Sequence, residues 1–109
     1  MLLAFSVAPS GRPADAPAGS DADDASVHHA VAEAVRIVRE SGLPNRTDSM
    51  FTTIEGEWDE VFDVVKRATD AVGRYGSRVS LVIKADIRPG HEGQLTAKVD
   101  RVEEALRDG

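Results

Sequence analysis

Hydrophobic positions along the chain fall into blocks of different period, and each change of period marks an element boundary. Residues 2–8 alternate, with Leu3, Phe5 and Val7 on one face and Leu2, Ala4, Ser6 and Ala8 on the other, the pattern of a strand covered on both sides. Pro9 cannot donate a ladder hydrogen bond, which predicts that pairing stops there. Residues 9–25 then hold Pro9, Pro13, Pro17, Gly11 and Gly19 and no apolar side chain larger than Ala. That stretch exceeds the usual connection length and has nothing to bury, so residues 10–25 are expected to form a flexible loop insertion.

From Ser26, a good N-cap, the period shifts to three and four: Val27, Ala30, Val31, Ala34, Val35 and Val38 form one apolar stripe and predict a helix. Gly42-Leu43-Pro44 ends it with a residue suited to the left-handed region, an apolar residue to fold back, and a proline. Asn45–Glu55 reads as extended chain, rich in the β-formers Thr47, Phe51, Thr52, Thr53 and Ile54, with Asp48-Ser49 as the reversal of a hairpin. A second helix follows Gly56, with Glu57, Asp59 and Glu60 complementing its dipole. Its stripe is Trp58, Val61, Phe62, Val65, Ala68, Val72 and Tyr75, and Gly76 closes it. Arg78–Asp86 is the clearest strand, with Val79, Leu81, Ile83 and Ala85 opposite Ser80, Val82, Lys84 and Asp86. Pro89-Gly90 breaks it, and Leu95, Val99, Val102 and Leu106 mark a short terminal helix.

The order β-α-β-β-α-β-α is that of an α+β, ferredoxin-like sandwich: an antiparallel sheet with two helices on one face, plus an added C-terminal helix. One such domain accounts for residues 1–109. The other face of the sheet would then carry Leu2, Ala4, Val82 and Phe51. A half-apolar sheet surface is best hidden by another copy of itself, so a face-to-face homo-oligomer is expected.

Composition narrows the function classes. With 13 Lys and Arg against 19 Asp and Glu the formal charge is −6, which disfavours nucleic acid and anionic membrane surfaces as partners. Absence of Cys removes disulfides, thiolate metal sites and cysteine nucleophiles together and fits a cytoplasmic protein. The apolar start, Met1 to Pro9, lacks a basic region and is too short to span a bilayer. His28 and His29 are adjacent, so on a helix they diverge by about 100° and do not share one metal. Asp21, Asp23 and Asp24 lack the glycine and closing Glu of a calcium loop. No nucleophile elbow, phosphate loop or His-Glu-x-x-His motif is present. The sequence therefore offers no support for an enzyme, a resident cofactor or a bound metal.

Polar groups on strands are more informative. Thr52, Thr53 and Glu55 on one strand and Lys84 and Asp86 on another interrupt otherwise apolar segments, and a buried carboxylate costs several kcal/mol unless matched. One solution is a Lys84 and Glu55 or an Asp86 and Arg88 pair at a subunit interface; the other is a bound molecule.

Several stretches together resemble the small thiamine-binding protein family: Val7-Ala8-Pro9-Ser10-Gly11, Ser26 with its Ala/Val-rich helix, Met50-Phe51-Thr52-Thr53-Ile54-Glu55-Gly56, and Arg78-Val79 through Ile83-Lys84-Ala85-Asp86-Ile87-Arg88. The most specific elements are Met50, Thr52 and Glu55 followed by Lys84, Asp86 and Arg88. The chain departs from the family in Phe51, where Gly is usual, and in its long first connection. The resemblance implies ferredoxin-like domains assembled as homodimers or dimers of dimers. It also implies non-catalytic binding of thiamine or its hydroxymethylpyrimidine part by Ser6, Ser26, Phe51, Thr52, Glu55, Lys84, Asp86 and Arg88. Glu55 or Asp86 would neutralise the thiazolium, Phe51 or Trp58 would stack on a ring, and Thr52, Ser6 or Ser80 would bond the aminopyrimidine edge. A structural or regulatory homo-oligomer without a vitamin ligand is the rival reading, and a small hydrolase or metal-dependent enzyme a third.

Overall fold

The structure, a computed structural model, describes residues 1–11, 23–90 and 93–108. Its elements run β1 (Leu2–Ser10), α1 (Asp23–Glu40), β2 (Asn45–Thr47), β3 (Thr52–Glu55), α2 (Trp58–Val72) with a 3-10 turn at Gly73–Tyr75, β4 (Arg78–Asp86) and α3 (Gln94–Asp108). The four strands form one antiparallel sheet in the order β2-β3-β1-β4, the ferredoxin-like arrangement.

Alternation in β1 turns Leu3, Phe5 and Val7 toward the helices, where they meet Ala30, Ala34 and Val38 of α1, Val61, Val65, Ala68 and Val72 of α2, and Ile54 of β3. Alanines at the contact face let α1 lie close to the sheet, and burying a residue such as Leu3 or Val38 contributes about 1.5 to 3 kcal/mol each. The α1 stop works as its residues require: Gly42 takes φ +78°, Ser41 N–H donates to the Ile37 carbonyl at 3.1 Å, and Leu43 folds back half-buried. Glu60 accepts the Glu57 N–H at 3.1 Å, satisfying one of the free donors at the start of α2.

Strand β1 does not end at Pro9. It pairs with β4 through Pro9↔Val79 and Ser10↔Arg78, whereas β3 follows β1 only as far as Phe5↔Thr52. Beyond Phe5 one flank of β1 has no β3 ladder, and a proline nitrogen on that flank forfeits no bond. Gly76 lets the chain pass this strand end closely: a Cβ there would lie 2.6 Å from the Ser10 carbonyl oxygen. Helix α1 begins at Asp23, not after Ser26, so Ser26 sits within its first turn and does not cap it. The expected insertion over residues 10–25 mostly coincides with residues 12–22, which lie outside the described residues.

Other departures concern coverage. Leu81 and Ile83 have the parity of Val7 and Phe5 but stay exposed, because β4 is an edge strand that the helices only partly cover. Trp58 is 55% exposed with its ring against Phe62, centroids 4.9 Å apart, and the buried face of α2 runs instead through Val61, Val64, Val65, Ala68, Ala71 and Val72. Phe51 lies in the hairpin turn rather than on the second sheet face. Helix α3 leaves its stripe in the open, with Val102 at 59% and Leu106 at 72% exposure.

Candidate functional site

The β2–β3 hairpin is built by a short acidic side chain. Asp48 N–H donates to the Phe51 carbonyl at 3.0 Å, and Asp48 Oδ1 accepts the N–H groups of both Met50 and Phe51 at 2.9 Å. This is the turn an Asp favours, because its carboxylate mimics a backbone acceptor. The bonds from Phe51 and then Met50, with the more distant Arg46 charge, hold the Asp48 carboxyl below its ordinary range. The turn presents Phe51 half-buried and Met50 exposed, and behind it Thr47 and Thr52 pair hydroxyls at 3.2 Å.

Between this hairpin, the far half of β1 and α1 lies a cleft of about 200 Å³. Phe5, Val7 and Ala34 form its floor, Val31 and Val35 of α1 one wall, and Asp48, Met50 and Phe51 the other. Ser6 and Ala8 border it where β1 has lost its β3 neighbour. Successive residues of a strand turn their N–H and C=O groups to alternate sides, so at least one of Ser6 to Ala8 aims both groups at this flank. The cleft thus combines an aromatic ring, hydroxyls, an edge of backbone donors and acceptors, and one carboxylate.

The remaining predicted residues stand elsewhere. Leu2 pairs with Glu55 on one side and Asp86 on the other, and Ala4 with Thr53 and Lys84, so these polar groups share the sheet face opposite the helices. Thr52 pairs with Phe5 and points the other way, buried. One sheet thickness therefore separates Phe51 and Thr52 at the cleft from Glu55, Lys84, Asp86 and Arg88, while Ser6 borders the cleft along the β1 backbone and shares the outer-face parity of Ala4 and Lys84. The side chain of Ser26 lies outside the described residues.

Glu55 has a structural task. It is 9% exposed and accepts the N–H of Gln94 at 2.9 Å and of Leu95 at 3.3 Å, so its oxygens bind the N-terminus of α3 and not Lys84. Within one chain Glu55 and Lys84 form no ion pair; the pairing considered from the sequence is one across a subunit interface. Asp86 and Arg88 border a crevice with Leu2 and Gln94 that has no room for a ring. A hollow of about 300 Å³ nearby sets Trp58 and Ile87 beside both Glu57 and Arg88, so it carries charge of both signs. Another of about 320 Å³ is edged by Glu55, Glu57 and Glu60; Glu55 bonds the start of α3 and Glu60 bonds the Glu57 N–H through Oε1. Sequence reasoning missed Asp48 as a site residue: it appeared only as a turn former, although an Asp beside an aromatic at a hairpin tip was a usable signal. Among the described residues no cluster of His, Asp and Glu could hold a metal, and no helix is long and apolar enough to cross a membrane.

Comparison with known proteins adds an independent line. The sequence profile of the thiamine-binding protein family matches residues 4–103. A UPF0045 protein of Mycobacterium bovis is 50% identical over 107 residues, covering 97% of this chain and 94% of the relative. A UPF0045 protein of Synechocystis is 33% identical over 84 residues, 76% of this chain and 69% of the relative. Among solved structures, a domain of unknown function from Bacillus cereus superimposes with a TM-score of 0.71 at 33% identity, covering 90% of this chain and 85% of that one. A Thermotoga maritima protein, proposed to act in thiamine biosynthesis or salvage, superimposes with a TM-score of 0.73 at 21% identity over 93% of this chain and 96% of that one, a likeness of fold.

Proposed function

Because the chain belongs to the thiamine-binding protein family, we propose that it is a cytoplasmic protein that binds thiamine, or a related hydroxymethylpyrimidine or thiazolium compound, in the cleft between α1 and the β2–β3 hairpin, and releases it unchanged. The observation that carries this reading is the meeting of Phe51, Asp48 and the flank of β1 beyond its β3 ladder in one apolar-floored cleft. An aminopyrimidine offers adjacent donors and acceptors that match strand-edge backbone and hydroxyl groups. A thiazolium is a permanent cation; Asp48 supplies the opposite charge, and contact with the Phe51 ring adds about 0.5 to 2 kcal/mol.

Self-association belongs to the same reading. Val82, opposite Ser6 and on the same outer sheet face as Ala4 and Leu2, is exposed, and α3 projects Val99, Val102 and Leu106 into solvent. A second copy covering these surfaces, as a homodimer or a dimer of dimers, removes apolar area that a lone chain would expose.

Titration calorimetry tests the binding claim. Thiamine and hydroxymethylpyrimidine should each give a saturable heat with one site per chain, weakened at least tenfold by Phe51→Ala. No heat from either compound with a folded protein would overturn the proposal in favour of a structural or regulatory homo-oligomer that uses the same exposed surfaces.

A further inference from the structure

Strand β4 closes one side of the sheet. Among the described residues it is paired by β1 along its whole length, from Arg78 to Asp86, and no strand lies along its other edge. Helix α2 runs beside it: Trp58 shares a hollow with Ile87 at one end, and at the other a Cβ on Gly73 would stand 3.8 Å from the Val79 side chain. Between these ends Leu81 and Ile83, turned to the helix side by their pairing with Val7 and Phe5, stay exposed. A long edge that carries apolar side chains is a template for another strand. Residues 12–22 are poor material for that strand, because they contain Pro13 and Pro17 and no apolar side chain larger than Ala.

The sequence of β4 fits itself. Set antiparallel to a second copy with Val82 opposite Val82, the strand places Leu81 opposite the partner's Ile83, Val79 opposite the partner's Ala85, and Arg78 opposite the partner's Asp86. Each face keeps its character, with those apolar pairs on the helix side and Val82, Ser80 with Lys84, and Arg78 with Asp86 on the outer side. A slide of two residues in either direction brings Arg78 opposite Lys84 or Arg88, like charges in both cases. A slide of one sets residues of opposite faces against each other. We propose that β4 is a self-pairing edge, by which two chains join antiparallel about Val82 and merge their sheets into one, with both copies of α2 on the same side. The Arg78 and Asp86 pair, repeated by the two-fold axis, selects this register over its neighbours. Because the contact uses an edge, it leaves the outer sheet face and α3 to the self-association described above, and it is independent of what the cleft binds.

The chain has no Cys, so introduced thiols report the register directly. Opposed residues of an antiparallel pair stand about 4.5 to 5.5 Å apart at Cα, a span that a disulfide bridges. In the full chain, Leu81→Cys with Ile83→Cys should give a covalent dimer on mild oxidation or with dibromobimane, read by mass. Ala85→Cys alone, far out of step with its own copy in this register, should not. Arg78→Asp should weaken the dimer about tenfold in sedimentation, since the axis repeats the repulsion, with an unchanged circular dichroism spectrum. A covalent dimer from Val82→Cys but not from Leu81→Cys with Ile83→Cys would overturn edge pairing in favour of contact between outer faces. Unchanged sedimentation of Arg78→Asp would overturn the register set by charge. A single-chain mass for the wild-type protein would overturn the proposal outright, and a dimer that forms only after removal of residues 12–22 would assign the edge to that segment instead. Thiamine titration of the same samples keeps these results separate from the reading of the cleft.

Discussion

Replacing Glu55 by Ala should free α3 while sparing the rest of the fold. The carboxylate accepts two N–H groups at the start of α3, at 2.9 and 3.3 Å, from a strand position only 9% exposed. A hydrogen bond to a charged group contributes about 1.5 to 3 kcal/mol, less at the longer distance, and the truncated side chain leaves those amides a route to water. A net loss of about 2 kcal/mol in the docking of α3 follows, which multiplies local opening roughly thirty-fold. Because the α3 stripe makes little contact with the described core, few other interactions share the load. Hydrogen exchange read by mass spectrometry should show residues 94–108 exchanging roughly thirty-fold faster in Glu55→Ala, with β1, β3 and α2 unchanged. Glu55→Gln, which keeps one acceptor oxygen, should fall between. Wild-type exchange rates in α3 of Glu55→Ala would refute the reasoning, and loss of protection throughout the sheet would show that Glu55 supports the core itself.

Gly76→Ala forces a Cβ to 2.6 Å from the Ser10 carbonyl and should cost about 1 to 3 kcal/mol, lowering the thermal midpoint by roughly 5 to 20 °C in a chain of this size. Leu3→Ala, at a fully buried position, should cost about 2.7 to 5 kcal/mol in urea unfolding. The cluster joining α1 to the end of α2 makes stability depend on pH at both extremes. Glu33 accepts the Tyr75 hydroxyl at 2.7 Å and is bonded by Arg74 at 2.6 Å. The Tyr75 bond first, and then the Arg74 and Arg36 charges, lower its carboxyl pKa, while that same bond raises the Tyr75 phenol. A lowered carboxylate contributes fully above its unfolded pKa and loses its contribution as pH falls through the folded one. A raised phenol contributes fully below its unfolded pKa and loses its contribution as pH rises through the folded one. Glu33→Gln should flatten both limbs of a stability profile, and unaltered limbs would remove the cluster from the account. Val102→Asp with Leu106→Glu should lower the sedimentation mass toward that of one chain without changing the circular dichroism of the fold.

Much of the architecture was legible because local rules and tertiary needs agree. Gly42-Leu43-Pro44, the Asp48 reversal and the span Arg78–Asp86 each appear where the sequence puts them. Period alone does not say what lies against a face, and the misreadings follow from that. Leu81 and Ile83 have inward parity, yet β4 is an edge; Trp58 sits at stripe spacing, yet the helix rolls its Val64 and Ala71 side inward. Pro9 does not end the ladder because, among the described residues, β1 beyond Phe5 is paired with β4 alone. The site was half legible for a similar reason. Phe51 and Thr52 meet at the cleft and Ser6 borders it along the β1 backbone, whereas Glu55 is drawn to the N-terminus of α3, a contact between residues 39 and 40 positions apart that no local pattern encodes.

The central claim is where the ligand sits, and an amide chemical-shift titration with thiamine tests it most directly. The account predicts saturable shifts concentrated in Phe5–Ala8, Val31–Val35 and Thr47–Thr52, with Leu2, Glu55, Trp58 and Asp86–Gly90 nearly still. Shifts centred instead on that second group, with the hairpin unmoved, would contradict it.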